Sequence, residues 1–391
     1  MGSRTTSGTR RLVVAHPSTE LYGADLQMLE SVRAALAAGW TVTLVLPADG
    51  PLAERAHGLG ADVVIASFPV LRKSLLSPRG LVGLAARSAT ALVRAARFLR
   101  STHADVLYVS TVTIPVWLAA ARLARVPSLC HVHEAEEDQP RAITAGLTAP
   151  LLLADALVAN SAAAQRALGG AFPSLARRTT VVVNGVPGPP VDPSPREQDG
   201  PLRVVLVGRL SPRKGTDVAV EAVHRLVRDG YDVRLRLAGS VFEGYEWFED
   251  DLRRRIAEHG LGDRVELLGF VHPVWDELER ADVALVPSRV EPFGNAAVEA
   301  LLAHRAVVAS RVQGLAEIVR DHETGLLVPP DDPTALAAAV RALADDPDLR
   351  RRLAAQGRAD ALARFGTQRY GDAVASALDA LAGPRVAADV S

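Results

Sequence analysis

The chain has 391 residues, 48% hydrophobic, 23% charged and 4% aromatic. This supplies ample apolar material for sizeable cores and excludes a disordered, fibrous or collagen-like protein. The net charge of −1 hides an asymmetry: residues 1–191 carry a surplus of Lys and Arg, and residues 192–391 a surplus of Asp and Glu. Opposite signs suggest two domains with different partners. Only two of the 44 cationic residues are lysines, Lys73 and Lys214. The lone cysteine, Cys130, excludes a disulfide framework and fits a reducing compartment. No apolar run approaches the roughly 20 residues of a spanning helix. The apolar stretch after the basic start is too short for a signal-peptide core. A soluble cytoplasmic protein is the expectation.

In chain order, short apolar runs at 12–15, 42–46, 63–65, 106–109, 129–132, 156–159 and 181–183 read as strands. A helical stretch at 25–37 carries Leu26, Leu29, Val32 and Leu36 at helical spacing. Residues 185–201 are proline-rich and read as a semi-rigid linker. The pattern resumes with apolar runs at 204–207, 233–238, 265–268, 283–286, 307–309 and 326–328. Near-continuous Val/Leu runs suit strands buried on both faces. Their alternation with helices predicts right-handed βαβ units and a parallel sheet in each half. After 330 only helical segments follow, at 333–344, 349–364 and 368–381. The fold expected is α/β: two Rossmann-like, doubly wound parallel-sheet domains facing a central cleft, where ligands of open α/β sheets bind.

Two constellations carry chemistry. In the first, a strand ends at Gly208, a basic loop holds Arg209 and Lys214, and Gly215-Thr216-Asp217 opens a helix. Two cations near a helix N-terminus suit an anion such as a diphosphate. Neither a Walker A loop nor a Gly-x-Gly-x-x-Gly fingerprint is present, which weakens a nicotinamide or flavin reading. In the second, a strand leads through Glu291-Pro292-Phe293-Gly294-Asn295 into a helix containing Glu299. Two carboxylates on one turn-and-helix unit suit a polyhydroxyl ligand, since each accepts several hydrogen bonds. Either feature alone reads more readily as solvated charge, and the full strand–Glu-Pro-Phe-Gly–helix–Glu context is the more specific signal.

Together, Gly-Arg-x4-Lys-Gly at 208–215 and Glu-x7-Glu at 291–299 resemble the second domain of glycosyltransferase family 4. Its members are retaining, sugar-nucleotide-dependent enzymes of the GT-B fold. Further matching segments are 21–25, 131–134, 183–186, 237–240 and 323–329, so the likeness covers nearly the whole chain. The resemblance implies that Arg209 and Lys214 hold the donor diphosphate, Glu299 the ribose and Glu291 a donor-sugar hydroxyl. Backbone amides of Phe293, Gly294 and Asn295 would face sugar and phosphates, and Phe270 and Val271 the base. It further implies an active-site histidine, His133, with His131 as the alternative. The family's first loop usually has two adjacent glycines. Here Tyr22 stands in the first place, which leaves close approach to phosphate to Gly23.

The domains expected are 1–190 for the acceptor, a linker at 191–201, and 202–365 for the donor, with 366–391 packing back on the first. No Asp-x-Asp site follows an apolar strand in the first domain. Asp346-Pro347-Asp348 reads as a helix start, so metal independence is expected, with a nucleoside diphosphate sugar as co-substrate and no other cofactor. Nucleic acid is not an expected partner. The acceptor is a hydroxyl compound, with glycan or glycoconjugate biosynthesis as the setting. Residues 63–104 contain no acid, while Arg72, Lys73, Arg79, Arg87, Arg94, Arg97 and Arg100 fall among them. This basic, Leu-bearing segment, 71–100, is either an ordinary amphipathic helix or a contact for anionic membrane or a lipid-linked acceptor. Two other readings stay open. One is a sugar-nucleotide epimerase using Glu134, Glu136 and Asp138. The other is a non-catalytic sugar-nucleotide or lipid-phosphate binding protein.

Overall fold

The computed structural model describes residues 9–71, 78–135, 141–196 and 199–384, with side chains throughout except at 78–87 and 141–142. The chain divides into two compact units. One comprises Met1–Gly185 with Thr367–Ser391, the other Val186–Gly366. Residues 186–201 of the proline-rich stretch group with the second unit. Its polar groups explain this: Arg196 bonds Asp282 at 3.1 Å, Arg305 donates to the Ser194 carbonyl at 3.1 Å, and Arg358 pairs with Asp192.

The first unit holds seven strands: β1 (Arg11–Ala15), β2 (Thr41–Leu46), β3 (Asp62–Ile65), β4 (Val106–Val109), β5 (Ser128–Val132), β6 (Ala156–Ala159) and β7 (Thr179–Val181). They form one parallel sheet in the order β3-β2-β1-β4-β5-β6-β7. Successive side chains of a strand point to opposite faces. Accordingly Leu12 and Val14 enter one core with Val42, Leu44 and Tyr108, while Val13 and Ala15 enter another with Val45, Leu107 and Val109. The last strand begins two residues before the apolar run that predicted it, because Thr179 and Thr180 continue the pairing with β6.

The second unit holds β8 (Leu202–Val207), β9 (Val233–Ala238), β10 (Val265–Gly269), β11 (Val283–Val286), β12 (Ala306–Ser310) and β13 (Leu326–Val328). Their order is β10-β9-β8-β11-β12-β13, again all parallel. The order reverses between β8 and β11, and this switch point is where open α/β sheets bind ligands. The closing helices span Pro333–Asp345, Pro347–Arg364 and Thr367–Ala382. Asp346 accepts from the Leu349 amide at 2.9 Å and Pro347 opens the helix, so the Asp-Pro-Asp segment is a helix cap. Among the described residues no helix is long and apolar enough to cross a membrane.

Candidate active site

Both constellations of the second unit lie at the carboxyl edge of its sheet, on the adjacent strands β8 and β11. After β8 the chain turns at Gly208, passes a short 3-10 turn at Pro212–Lys214, and enters the helix Thr216–Arg228 at Gly215. After β11 it runs through Glu291 to Gly294 and enters the helix Asn295–Leu302. Gly215 lets these two loops close on each other, and Gly294 lets the second loop close on the helix Gln313–Ile318. Gly215 has φ +66°, and a Cβ there would lie 2.0 Å from the Pro287 carbonyl oxygen. Gly294 has φ +127°, and its Cβ would lie 2.6 Å from the Leu315 side chain.

The approach places the Lys214 ammonium on the Glu291 carboxylate, to which the Ser288 hydroxyl also donates at 3.1 Å. The Glu291 amide is held by the Gln313 side chain at 3.0 Å. Burial would push the Glu291 carboxyl up. The charge and hydrogen bond of Lys214, with Arg213 and Ser288, outweigh it and hold the group below its usual value. Among the described residues Glu299 has no such hydrogen bond: burial pushes it up to about 7, against the opposing pull of Lys214. Lys214 therefore lies in the electrostatic reach of both carboxylates. Arg209 is partly buried with its guanidinium over the Phe242 ring. The side chain of Phe293 is core, edge-on to Phe365 at 5.8 Å, so only its backbone is available to a ligand. Phe270 is exposed beside Val271, just after Gly269 ends β10 at φ +71°.

His133 and Gly23 belong to the first unit. Gly23 opens the helix Gly23–Ala37. The Tyr22 amide donates to Asp25 at 2.9 Å, and the other Asp25 oxygen lies 2.8 Å from Nε2 of His16. Nδ1 of His16 meets the Ser110 hydroxyl. Burial, then the neighbouring His16, push His133 down to about 3, so its imidazole is neutral at neutral pH. Its ring lies 4.1 Å from that of His131, whose Nδ1 is 2.6 Å from the Tyr108 hydroxyl. Of the three carboxylates considered for an epimerase, Glu136 and Asp138 lie outside the described residues. Glu134 is committed to the Thr111 hydroxyl and the His133 amide. Among the described residues no three His, Cys, Asp or Glu are grouped to hold a metal ion.

Sequence reasoning passed over Arg289. It donates to both oxygens of Asp217 at 2.9 and 2.8 Å, to Asp331 at 3.0 and 2.5 Å, and to the Pro212 carbonyl. It also passed over the His16–Asp25 pair. Arg289 does not stand out in a chain where arginine is almost everywhere and its carboxylates are distant in sequence.

Two consecutive parallel α/β units, the second with a basic loop and a Glu-bearing loop at its switch point, define a GT-B glycosyltransferase architecture. Comparison with known proteins agrees. Residues 23–187 match the family model described as Glycosyltransferase Family 4, and residues 191–360 that described as Glycosyl transferases group 1. The chain belongs to glycosyltransferase family 4. It is 32% identical over 290 residues to a D-inositol 3-phosphate glycosyltransferase of Geodermatophilus obscurus, covering 71% of this chain and 63% of that protein. It is 37% identical over 185 residues to a glycogen synthase of Mycobacterium tuberculosis, covering 46% of this chain and 43% of that one. The chain thus spans less than two thirds of either relative. The crystal structure of Anabaena HepE in complex with UDP-glucose superposes with a TM-score of 0.78 at 23% identity, over 94% of this chain and 99% of that one.

Proposed function

We propose that this chain transfers a sugar from a nucleoside diphosphate sugar to a hydroxyl acceptor, with retention at the anomeric carbon and without a metal ion or other cofactor. The observation that carries the reading is the Lys214–Glu291 pair, formed at the switch point where Gly215 lets the two loops meet. As the glycosidic bond breaks, negative charge builds on the diphosphate and positive charge on the anomeric carbon. Lys214 and Arg209 are cations on the loop that precedes a helix N-terminus, and both would stabilise the leaving group. An ammonium has three donors, so Lys214 can keep Glu291 and still bind a phosphate oxygen. Glu291, ionised, would accept a donor-sugar hydroxyl, and Glu299 the ribose hydroxyls. The amides of Phe293, Gly294 and Asn295 and the segment at Phe270 and Val271 would hold sugar, phosphate and base. His133 of the first unit, neutral at neutral pH, would act as an uncharged hydrogen-bonding group. The likeness to the UDP-glucose complex supports a nucleotide-sugar donor.

The acceptor side follows from the first unit. In the helix Pro78–Ser101, Ala95, Ala96 and Leu99 are buried while Arg94, Arg97 and Arg100 are exposed. That exposed basic face favours a phosphate-bearing or lipid-linked acceptor and a peripheral place at the inner, anionic face of the membrane. Of the rest of the expected basic patch, Arg72 and Lys73 lie outside the described residues, and Arg79 and Arg87 lie in the part of the helix whose side chains are not described.

Lys214→Ala tests the reading. Loss of one preorganised donor to the leaving group costs about 10²–10³ in turnover. Hydrolysis of UDP-glucose, UDP-N-acetylglucosamine and GDP-mannose measures it. More than half of wild-type turnover remaining in the variant would overturn the diphosphate role.

A further inference from the structure

We infer that Arg289 is the positioning residue of this site: it locks the Lys214 loop to the Glu291 loop while touching no substrate. The inference rests on the diphosphate reading of Lys214. A guanidinium has five N–H groups in one plane. Here Nε donates to Asp331, Nη1 to Pro212 and Asp217, and Nη2 to Asp217 and Asp331. All five are occupied, so Arg289 has no donor left for a phosphate. Its partners come from three places. Pro212 stands in the loop after β8, Asp217 on the first turn of the helix that follows, and Asp331 just beyond β13.

The backbone closes the same junction from both sides. The Arg289 amide donates to the Arg213 carbonyl at 2.8 Å, and Nε of Arg213 donates to the Val290 carbonyl at 3.1 Å. Lys214 follows Arg213 directly, and Glu291 follows Val290 directly. The register that puts the ammonium on the carboxylate is therefore set one residue away from each, by contacts that Arg289 organises. The two carboxylates in turn hold the guanidinium charged. Lysine cannot replace this device. Its ammonium is a single point with three donors and cannot span a bidentate carboxylate, a second carboxylate and a carbonyl together.

Misplacing a catalytic group by about 1 Å costs on the order of 10²-fold in rate. Arg289→Lys should lower kcat about 10- to 100-fold on the donor the panel identifies, with KM rising by no more than the several-fold loss of diphosphate affinity, because Glu299 and the backbone amides remain. Asp217→Asn should do the same more mildly. Arg289→Ala should regain part of its lost turnover when millimolar guanidinium is added, whereas Lys214→Ala should not. Inorganic pyrophosphate, titrated into the full chain, reports the clamp independently of donor identity. Its affinity should fall at least fivefold in Arg289→Lys, with a melting temperature confirming that the chain is folded. If Lys214→Ala retains turnover and pyrophosphate affinity, the diphosphate reading itself fails. If Lys214→Ala loses both while Arg289→Lys stays within twofold of wild type on both, the positioning role alone is overturned. Loss in Arg289→Lys that merely parallels loss of folded protein, with no guanidinium rescue of Arg289→Ala, overturns it equally.

Discussion

Glu291 and Glu299 sit on one turn-and-helix unit, and burial acts on both in the same direction. Only Glu291 has an ammonium and a hydroxyl on its oxygens, and this separates them. The separation has a pH signature. Glu299 is raised from an ordinary 4.5 to about 7, so between those values the folded chain binds a proton that the unfolded chain has released. Its contribution is fully present below about pH 4.5 and is lost as pH rises through about 7. Glu299→Gln should therefore flatten the fall in melting temperature between pH 5 and pH 8, most visibly at pH 8. Nucleotide binding should show the opposite slope. A carboxylate accepts ribose hydroxyls better when ionised, so nucleoside diphosphate affinity should rise through pH 7 in wild type and be flat in Glu299→Gln. Thermal melts and titrations at the two pH values check both slopes. Parallel slopes in wild type and variant would show that Glu299 is not the titrating group.

The site elements are two loops, and their closeness depends on missing side chains. Gly215→Ala would press a Cβ into the Pro287 carbonyl and force alanine into a left-handed backbone. Overpacking of this kind costs about 1–3 kcal/mol. Because the clash lies between the loops, turnover should fall further than the stability loss alone accounts for; a melt and a rate measurement on one preparation compare the two. Much of this element was legible in the sequence. The strand, the glycine, the basic loop and the helix start are contiguous, and so are Glu291, Gly294 and Glu299. Arg289 was not legible, since its carboxylates lie 72 and 42 positions away and no local periodicity marks such a pair. The His16–Asp25 contact is nearer, yet it depends on where β1 ends and the following helix begins. Those boundaries are set by pairing and capping rather than by composition.

At the scale of the molecule, the alternation of apolar runs with helical stretches was enough to foresee two parallel sheets. Each strand is buried on both faces and needs little polar patterning. The strand order and the path of the last helix depend on packing that no single segment encodes. The helix Thr367–Ala382 belongs to the first unit, where Tyr370, Val374 and Leu378 join the core under Leu12, Val14 and Tyr108. The Tyr370 hydroxyl meets Ser31 at 2.5 Å, and Gly371 lies against Ala34, where an added Cβ would stand 3.3 Å from the alanine methyl. Leu378 is completely buried. Leu378→Ala removes three carbons from that core, and such truncations cost about 2–5 kcal/mol. In a unit of this size each kcal/mol shifts the melting temperature by roughly 2–4 °C. The expected outcome is a fall of roughly 4–20 °C in the transition of the first unit. The candidate diphosphate site lies wholly in the other unit, so pyrophosphate affinity at 20 °C should stay within twofold of wild type. Calorimetry of the full chain with a parallel titration checks both parts. An unchanged melting temperature would mean that this helix adds nothing to the first core. A loss of pyrophosphate affinity at unchanged stability would mean that the donor-side loops depend on the first unit.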